Sequence, residues 1–163
     1  MVKLTASKLN RIISYLKKED GFWAIEQKFY LDTSIWRDYY EDRSDGSKPL
    51  GRFALQFLFK TIKDGNLIAY SDFVVEELMI KYSKEEIIGI FSIFYHLNLL
   101  VKVPISKEQA KEAAVICKKR NIPFGDVLHA VLARDNKSIM VTRDKHFQRL
   151  MDIADIKKPE DLL

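Results

Sequence analysis

Carboxylates stand where this chain's apolar runs give way to turns and helices. Asp32 directly follows Phe29-Tyr30-Leu31, and Glu76 and Glu77 come shortly after Leu67-Ile68-Ala69-Tyr70. Asp126 follows the turn Pro123-Phe124-Gly125, and Asp144 lies just past Ile139-Met140-Val141, after Thr142. Any one of these acids has an ordinary use, because an acid at a helix start caps backbone N–H groups and complements the macrodipole. Four of them converging on one edge do not. Ionised carboxylates about 5–6 Å apart repel by about 3 kcal/mol per pair at an effective dielectric of about 20. Such a cluster persists if a cation neutralises it or if one member keeps its proton. Hard oxygen donors without paired Cys or His suit Mg²⁺ or Mn²⁺ rather than zinc. One or two such ions about 3.5–4 Å apart would activate a water and stabilise the leaving oxygen of a phosphodiester, which is the chemistry of a metal-dependent nuclease.

Positioning these acids requires alternating elements. Lys28-Phe29-Tyr30-Leu31, Leu67–Tyr70, Leu99-Leu100-Val101 and Ser138–Val141 read as short buried strands, and Ile153-Ala154-Asp155-Ile156 as a fifth. Between them lie helical patterns. Leu50, Phe53, Ala54, Phe57, Leu58, Thr61 and Ile62 share one helix face, with Gly65 just past its end. Ser71 or Asp72 can cap the next helix, which places Glu76 and Glu77 in its first turns. Ser83 with Glu86, and Ser106 with Gln109, have the spacing of capping boxes. A helix from about Asp126 to Asp135 precedes the fourth strand, and another runs from Asp144 to about Met151. Fully apolar strands separated by helices imply parallel pairing in a sheet covered on both faces. The expected fold is therefore a three-layer α/β/α sandwich around a central parallel sheet of four to five strands. Ligands of such sheets bind beyond the carboxyl ends of the strands, which is where the acids lie.

A chain of 163 residues that is 47% hydrophobic can build one substantial core, which excludes disordered and fibrous classes. No apolar run approaches the ~18 residues of a membrane span. The N-terminal MVKLTASKLNRII lacks the pattern of a secretion signal, and Cys117 has no partner for an internal disulfide. A cytoplasmic setting without membrane contact is expected. Most of the net charge of +4 comes from residues 1–28 (Lys3, Lys8, Arg11, Lys17, Lys18 and Lys28 against Glu19, Asp20 and Glu26). Leu9, Ile12, Ile13 and Leu16 fall at helical spacing there, so residues 1–28 read as an N-terminal helical extension ahead of a main domain, 29–163.

The ordered set Tyr30-Leu31-Asp32-Thr33-Ser34, Glu76-Glu77-Leu78, Gly125-Asp126-Val127-Leu128-His129-Ala130 and Val141-Thr142-Arg143-Asp144 with Phe147 resembles the motifs of the PIN-domain family, VapC-type toxins included. The resemblance runs from about Phe29 to the C-terminus. It implies an endoribonuclease dependent on Mg²⁺ or Mn²⁺, with RNA as substrate. It also implies an antitoxin protein as partner if the toxin likeness extends to this chain, and a homodimer. By position it makes Asp32, Glu77, Asp126 and Asp144 the catalytic acids and metal ligands. Glu77 is preferred over Glu76 because Leu78 follows it. The resemblance leaves Ser34 and Thr142 as hydroxyls that orient a carboxylate or a water, and Arg143 as a phosphate contact or a solvated loop charge. Residues 1–28 and the length of the Arg43–Pro49 loop depart from a minimal PIN domain.

Two other readings compete with the nuclease. A PIN-like scaffold that binds RNA or protein without cutting has no reason to keep a repulsive cluster. A phosphatase of the Asp-x-Asp-x-Thr type would need an acid where Ser34 stands. His129 and His146 read as packing or hydrogen-bonding residues rather than ligands. Trp36, Tyr39 and Tyr40 read as packing aromatics, Trp23 likewise, and Cys117 as a small buried hydrophobe.

Overall fold

The computed structural model describes residues 27–163. The helix expected around Leu9–Leu16, Trp23, and all but the end of the expected extension lie outside the described residues. Five strands form one sheet: β1 (Lys28–Leu31), β2 (Leu67–Tyr70), β3 (Leu100–Lys102), β4 (Ile139–Val141) and β5 (Ile156–Lys157). Their order is β3-β2-β1-β4-β5 and every pairing is parallel. The chain moves outward from β1 to β2 and β3, then crosses to the other side of β1 for β4. The carboxyl ends of β1 and β4 thus flank the point where strand order reverses, the usual cleft of an open α/β sheet.

Helices α1 (Thr33–Glu41) and α2 (Leu50–Lys63) connect β1 to β2, α3 (Asp72–Met79) and α4 (Lys84–His96) connect β2 to β3, and α5 (Lys107–Arg120) and α6 (Phe124–Asp135) connect β3 to β4. Both expected capping boxes are present. Ser83 accepts from Glu86 N–H at 3.2 Å and Ser106 from Gln109 N–H at 3.1 Å, with each N3 side chain bonding back to its cap. Each box satisfies helix-end N–H groups that would otherwise lack partners. The core is continuous across the sheet and includes Tyr30, Leu31, Ile35, Trp36, Ile68, Leu78, Val127 and Val141. Tyr39 and Tyr40 pack on its margin. Cys117 is half-buried rather than buried. Gly51 lets the start of α2 lie directly on the end of α1, because a Cβ there would sit 2.6 Å from Asp42 Cα and 2.8 Å from Asp38 O.

Two C-terminal elements differ from expectation. The segment after Asp144 is a 3₁₀ helix, Lys145–Leu150, and β5 begins only at Ile156. Ile153 N–H and Ala154 N–H both return to Leu150 O, so these two apolar residues turn the chain instead of extending it. Among the described residues no helix is long and apolar enough to cross a membrane.

Candidate metal centre

Asp32 is the first residue past β1 and continues its ladder, with its N–H donating to Val141 O at 3.0 Å. It occupies the N-cap position of α1, yet its side chain makes no capping bond. Oδ2 instead accepts two hydroxyls, Ser34 Oγ at 2.6 Å and Thr142 Oγ1 at 2.9 Å. Thr142 Oγ1 also accepts from Asp144 N–H at 3.1 Å, so its proton is directed to Asp32. Oδ1 takes no hydrogen bond among the described residues. Capping therefore does not account for Asp32, which is 8% exposed.

Glu77 lies near the C-terminal end of α3, not in its first turns as expected, and Asp72 is the acid of the first turn. An acid there opposes the helix dipole, so the macrodipole does not account for it either. Its Oε2 accepts from Thr33 Oγ1 and from His129 Nε2, the latter at 2.9 Å, while Oε1 takes no hydrogen bond among the described residues. Burial pushes the Glu77 carboxyl up, but the His129 imidazole and the Thr33 hydroxyl more than offset this and hold it below the usual range. Glu76 is exposed on another side of the helix.

Asp126 is in the first turn of α6 and Asp144 caps the 3₁₀ helix, accepting from His146 N–H at 2.9 Å. His146 Nδ1 lies 3.0 Å from Asp126 Oδ2 and 3.4 Å from Asp144 Oδ1. Asp126 is raised above the usual carboxylate range by burial first, then by the charges of Asp144 and, more weakly, Asp32, with His146 opposing. The four expected acids thus fall into two groups, Asp32 with Glu77 and His129, and Asp126 with Asp144 and His146. Within each group the donor atoms lie within 4.8 Å of one another. The influence of Asp32 on Asp126 joins the two. So does Gly125, where a Cβ would approach Glu77 Oε1 to 3.4 Å.

This donor set fits a hard divalent cation. Asp32 and Glu77 each have one oxygen fixed by two donors and one left bare. Burial first, and then the charges of Asp144 and Asp32, raise Asp126, and a cation would relieve the charge part of this. Both histidines, expected as packing or hydrogen-bonding residues, hydrogen-bond to acids of these groups. The available signal was spacing, since His129 lies one turn after Asp126 and His146 two residues after Asp144. Arg143 is not a solvated loop charge. It is 13% exposed and engaged by Asp38 and Glu160.

The family model described as PIN domain matches residues 29–152. No curated protein matches the chain. A chain in the structure of VapBC2 from Rickettsia felis, bound to a DNA fragment from its promoter, is 19% identical with a TM-score of 0.58; the match covers 81% of this chain and 98% of that one. A chain of a toxin–antitoxin complex from Klebsiella pneumoniae is 19% identical with a TM-score of 0.55, covering 80% and 97%. A chain of FitAcB from Neisseria gonorrhoeae is 16% identical with a TM-score of 0.55, covering 81% and 98%. At these identities the structural neighbours speak for the fold, and the match of the family model over most of the chain assigns it: the chain belongs to the PIN-domain family.

Proposed function

We propose that the chain is an endoribonuclease dependent on Mg²⁺ or Mn²⁺ and acts as the toxin of a toxin–antitoxin pair. Asp32, Glu77, Asp126 and Asp144 would hold the ion. The observation that carries this reading is the shared pattern at Asp32 and Glu77, each with one oxygen bound by two donors and the other bare. Stability alone does not call for two acids prepared in this way beside a third that burial and its charged neighbours already raise. When bound, a divalent ion supplies charge neutralisation at a phosphodiester and a nucleophile at neutral pH. The chain's own residues do the rest. Ser34 and Thr142 fix the rotation of Asp32, Thr33 and His129 fix that of Glu77, and His146 bridges Asp126 and Asp144. The toxin–antitoxin complex among the structural neighbours supports an antitoxin partner, and a homodimer belongs to the same reading.

Cleavage of total RNA with Mn²⁺, with and without chelator, tests the proposal. The expected result is chelator-sensitive endonucleolytic products that fall by at least about 100-fold in Asp32→Asn, more than the loss of a residue that only supports a ligand. Undiminished turnover by that variant removes the assignment. A melting temperature that rises with Mn²⁺ and falls back with chelator accompanies the enzyme, whereas a flat response marks a scaffold that binds without cutting.

A further inference from the structure

His129 is not one of the four acids, yet it is almost fully enclosed beside them. It is 1% exposed, with Nε2 2.9 Å from Glu77 Oε2 and Nδ1 3.0 Å from the Tyr30 hydroxyl. Its ring lies against Phe73, with centroids 5.2 Å apart. The Tyr30 hydroxyl in turn lies 2.7 Å from Ser71 Oγ, and Ser71 caps α3, the helix that carries Glu77. The path Glu77–His129–Tyr30–Ser71 thus leaves α3 near its end, crosses α6 and β1, and returns to the start of the same helix. A carboxylate only accepts, so Nε2 carries the proton and donates it to Oε2. A buried imidazole could have found a backbone partner. This one terminates on a half-exposed acid of the candidate centre.

We infer that His129 is a positioning residue for Glu77. Its N–H, together with the Thr33 hydroxyl, occupies Oε2 and leaves Oε1 as the Glu77 oxygen presented to the cation. Tyr30 and Ser71 hold the ring at the required angle. This rests on the metal-centre reading above and deepens it, because it assigns the relay behind the ligand rather than the ligand. Residues that orient metal-binding carboxylates typically change metal affinity 10- to 100-fold when removed.

The test is a Mn²⁺ titration of the full chain by calorimetry, in the wild type, His129→Leu, His129→Gln and Thr33→Val, with the melting temperature in chelator as the control for folding. His129→Leu is expected to weaken Mn²⁺ binding by about 10- to 100-fold while cleavage at saturating Mn²⁺ largely recovers. His129→Gln, which retains an N–H donor, is expected to restore affinity to within a few fold. A purely structural role would shift melting without this split between affinity and saturated rate. If His129→Leu does not fold, Thr33→Val removes the other donor to the same oxygen from a less buried site. Weakened binding there supports the inference and unchanged binding overturns it. Wild type that binds no Mn²⁺ overturns the metal-centre reading and this inference together. Wild type that binds, with folded variants equally tight, overturns the inference alone.

Discussion

Arg143 reaches back from the turn after β4 to Asp38 on α1, with Nε 2.7 Å from Oδ2, and both side chains are withdrawn from solvent. Nη1 of the same guanidinium lies 2.7 and 2.6 Å from the two oxygens of Glu160. Asp38 has a second, longer partner in Arg43, 3.2 Å from Oδ1. One arginine therefore ties together the α1 helix that follows Asp32, the strand end that carries Thr142 and Asp144, and the C-terminal 3₁₀ turn Pro159–Leu162. Burial pushes the Asp38 carboxyl above its usual range, and the hydrogen bond from Arg143 is the main influence pulling it back.

Arg143→Leu is expected to destabilise the protein by about 3 kcal/mol, because removing one partner of a buried pair leaves the other charge stranded. Urea denaturation measures it. The sign with pH follows from Asp38. An acid whose folded-state pKa exceeds its unfolded value loses stability as pH rises through that interval, and loss of Arg143 raises the folded value further. The deficit is therefore largest near neutrality and shrinks towards pH 4, as Asp38 takes up a proton. A deficit absent at every pH, with weakened RNA binding instead, would return Arg143 to a phosphate-contact role.

Asp126 obeys the same sign for a different reason. Burial and the charges of Asp144 and Asp32 raise it, so the folded state holds its proton to higher pH than the unfolded chain does. Stability from this group is fullest in acid and falls as pH rises through the raised value. At pH 7 in chelator, Asp126→Asn is expected to melt a few degrees higher than wild type, the size of a gain of about 1 kcal/mol in a domain of this length. With Mn²⁺ the order reverses, because the wild type gains stability on binding that the variant largely forfeits. Thermal melts at pH 4 and pH 7, with and without Mn²⁺, check both halves.

Much of this architecture is legible in the chain, and particular residues show why. The short apolar run Leu67–Tyr70, bounded by Gly65 and the cap Ser71, has the length and flanks of a covered strand, and Ser83 with Glu86 marks a helix start. The tail was less legible. Asp144 caps the segment after it as an ordinary N-cap, accepting from His146 N–H, yet that segment is a 3₁₀ helix, which apolar spacing over six residues does not distinguish from an α-helix. In the centre, chain position alone brings Asp32 and Asp144 to adjacent strand ends. What the sequence could not tell was the partner of each polar group. His129 finds Glu77 52 residues away and Arg143 finds Asp38 105 residues away. Periodicity reports only that a position is buried, not which acid it meets there.

Gly51 supplies a stability test away from the centre. A methyl group there would press on backbone at Asp42 and Asp38, which cannot move aside as a side chain can. Gly51→Ala is expected to cost about 1–3 kcal/mol through overpacking, read as an earlier urea midpoint with an unchanged slope.

Gly125 supplies the complementary test inside the centre. A Cβ there would meet the Phe73 ring at 2.9 Å and Glu77 Oε1, the bare oxygen, at 3.4 Å. The Phe73 ring can yield by rotating, so the fold tolerates the methyl group. The ring also packs on His129, however, and its movement disturbs the relay that holds Glu77. Gly125→Ala is therefore expected to melt close to wild type in chelator while Mn²⁺-dependent cleavage falls by about 10- to 100-fold, the range in which a small misplacement of a reacting group is felt. Both quantities come from one preparation, by thermal melting in chelator and by RNA cleavage across a Mn²⁺ series. A variant that loses stability and activity in parallel would place Gly125 with the packing of α6 rather than with the metal-facing oxygen of Glu77.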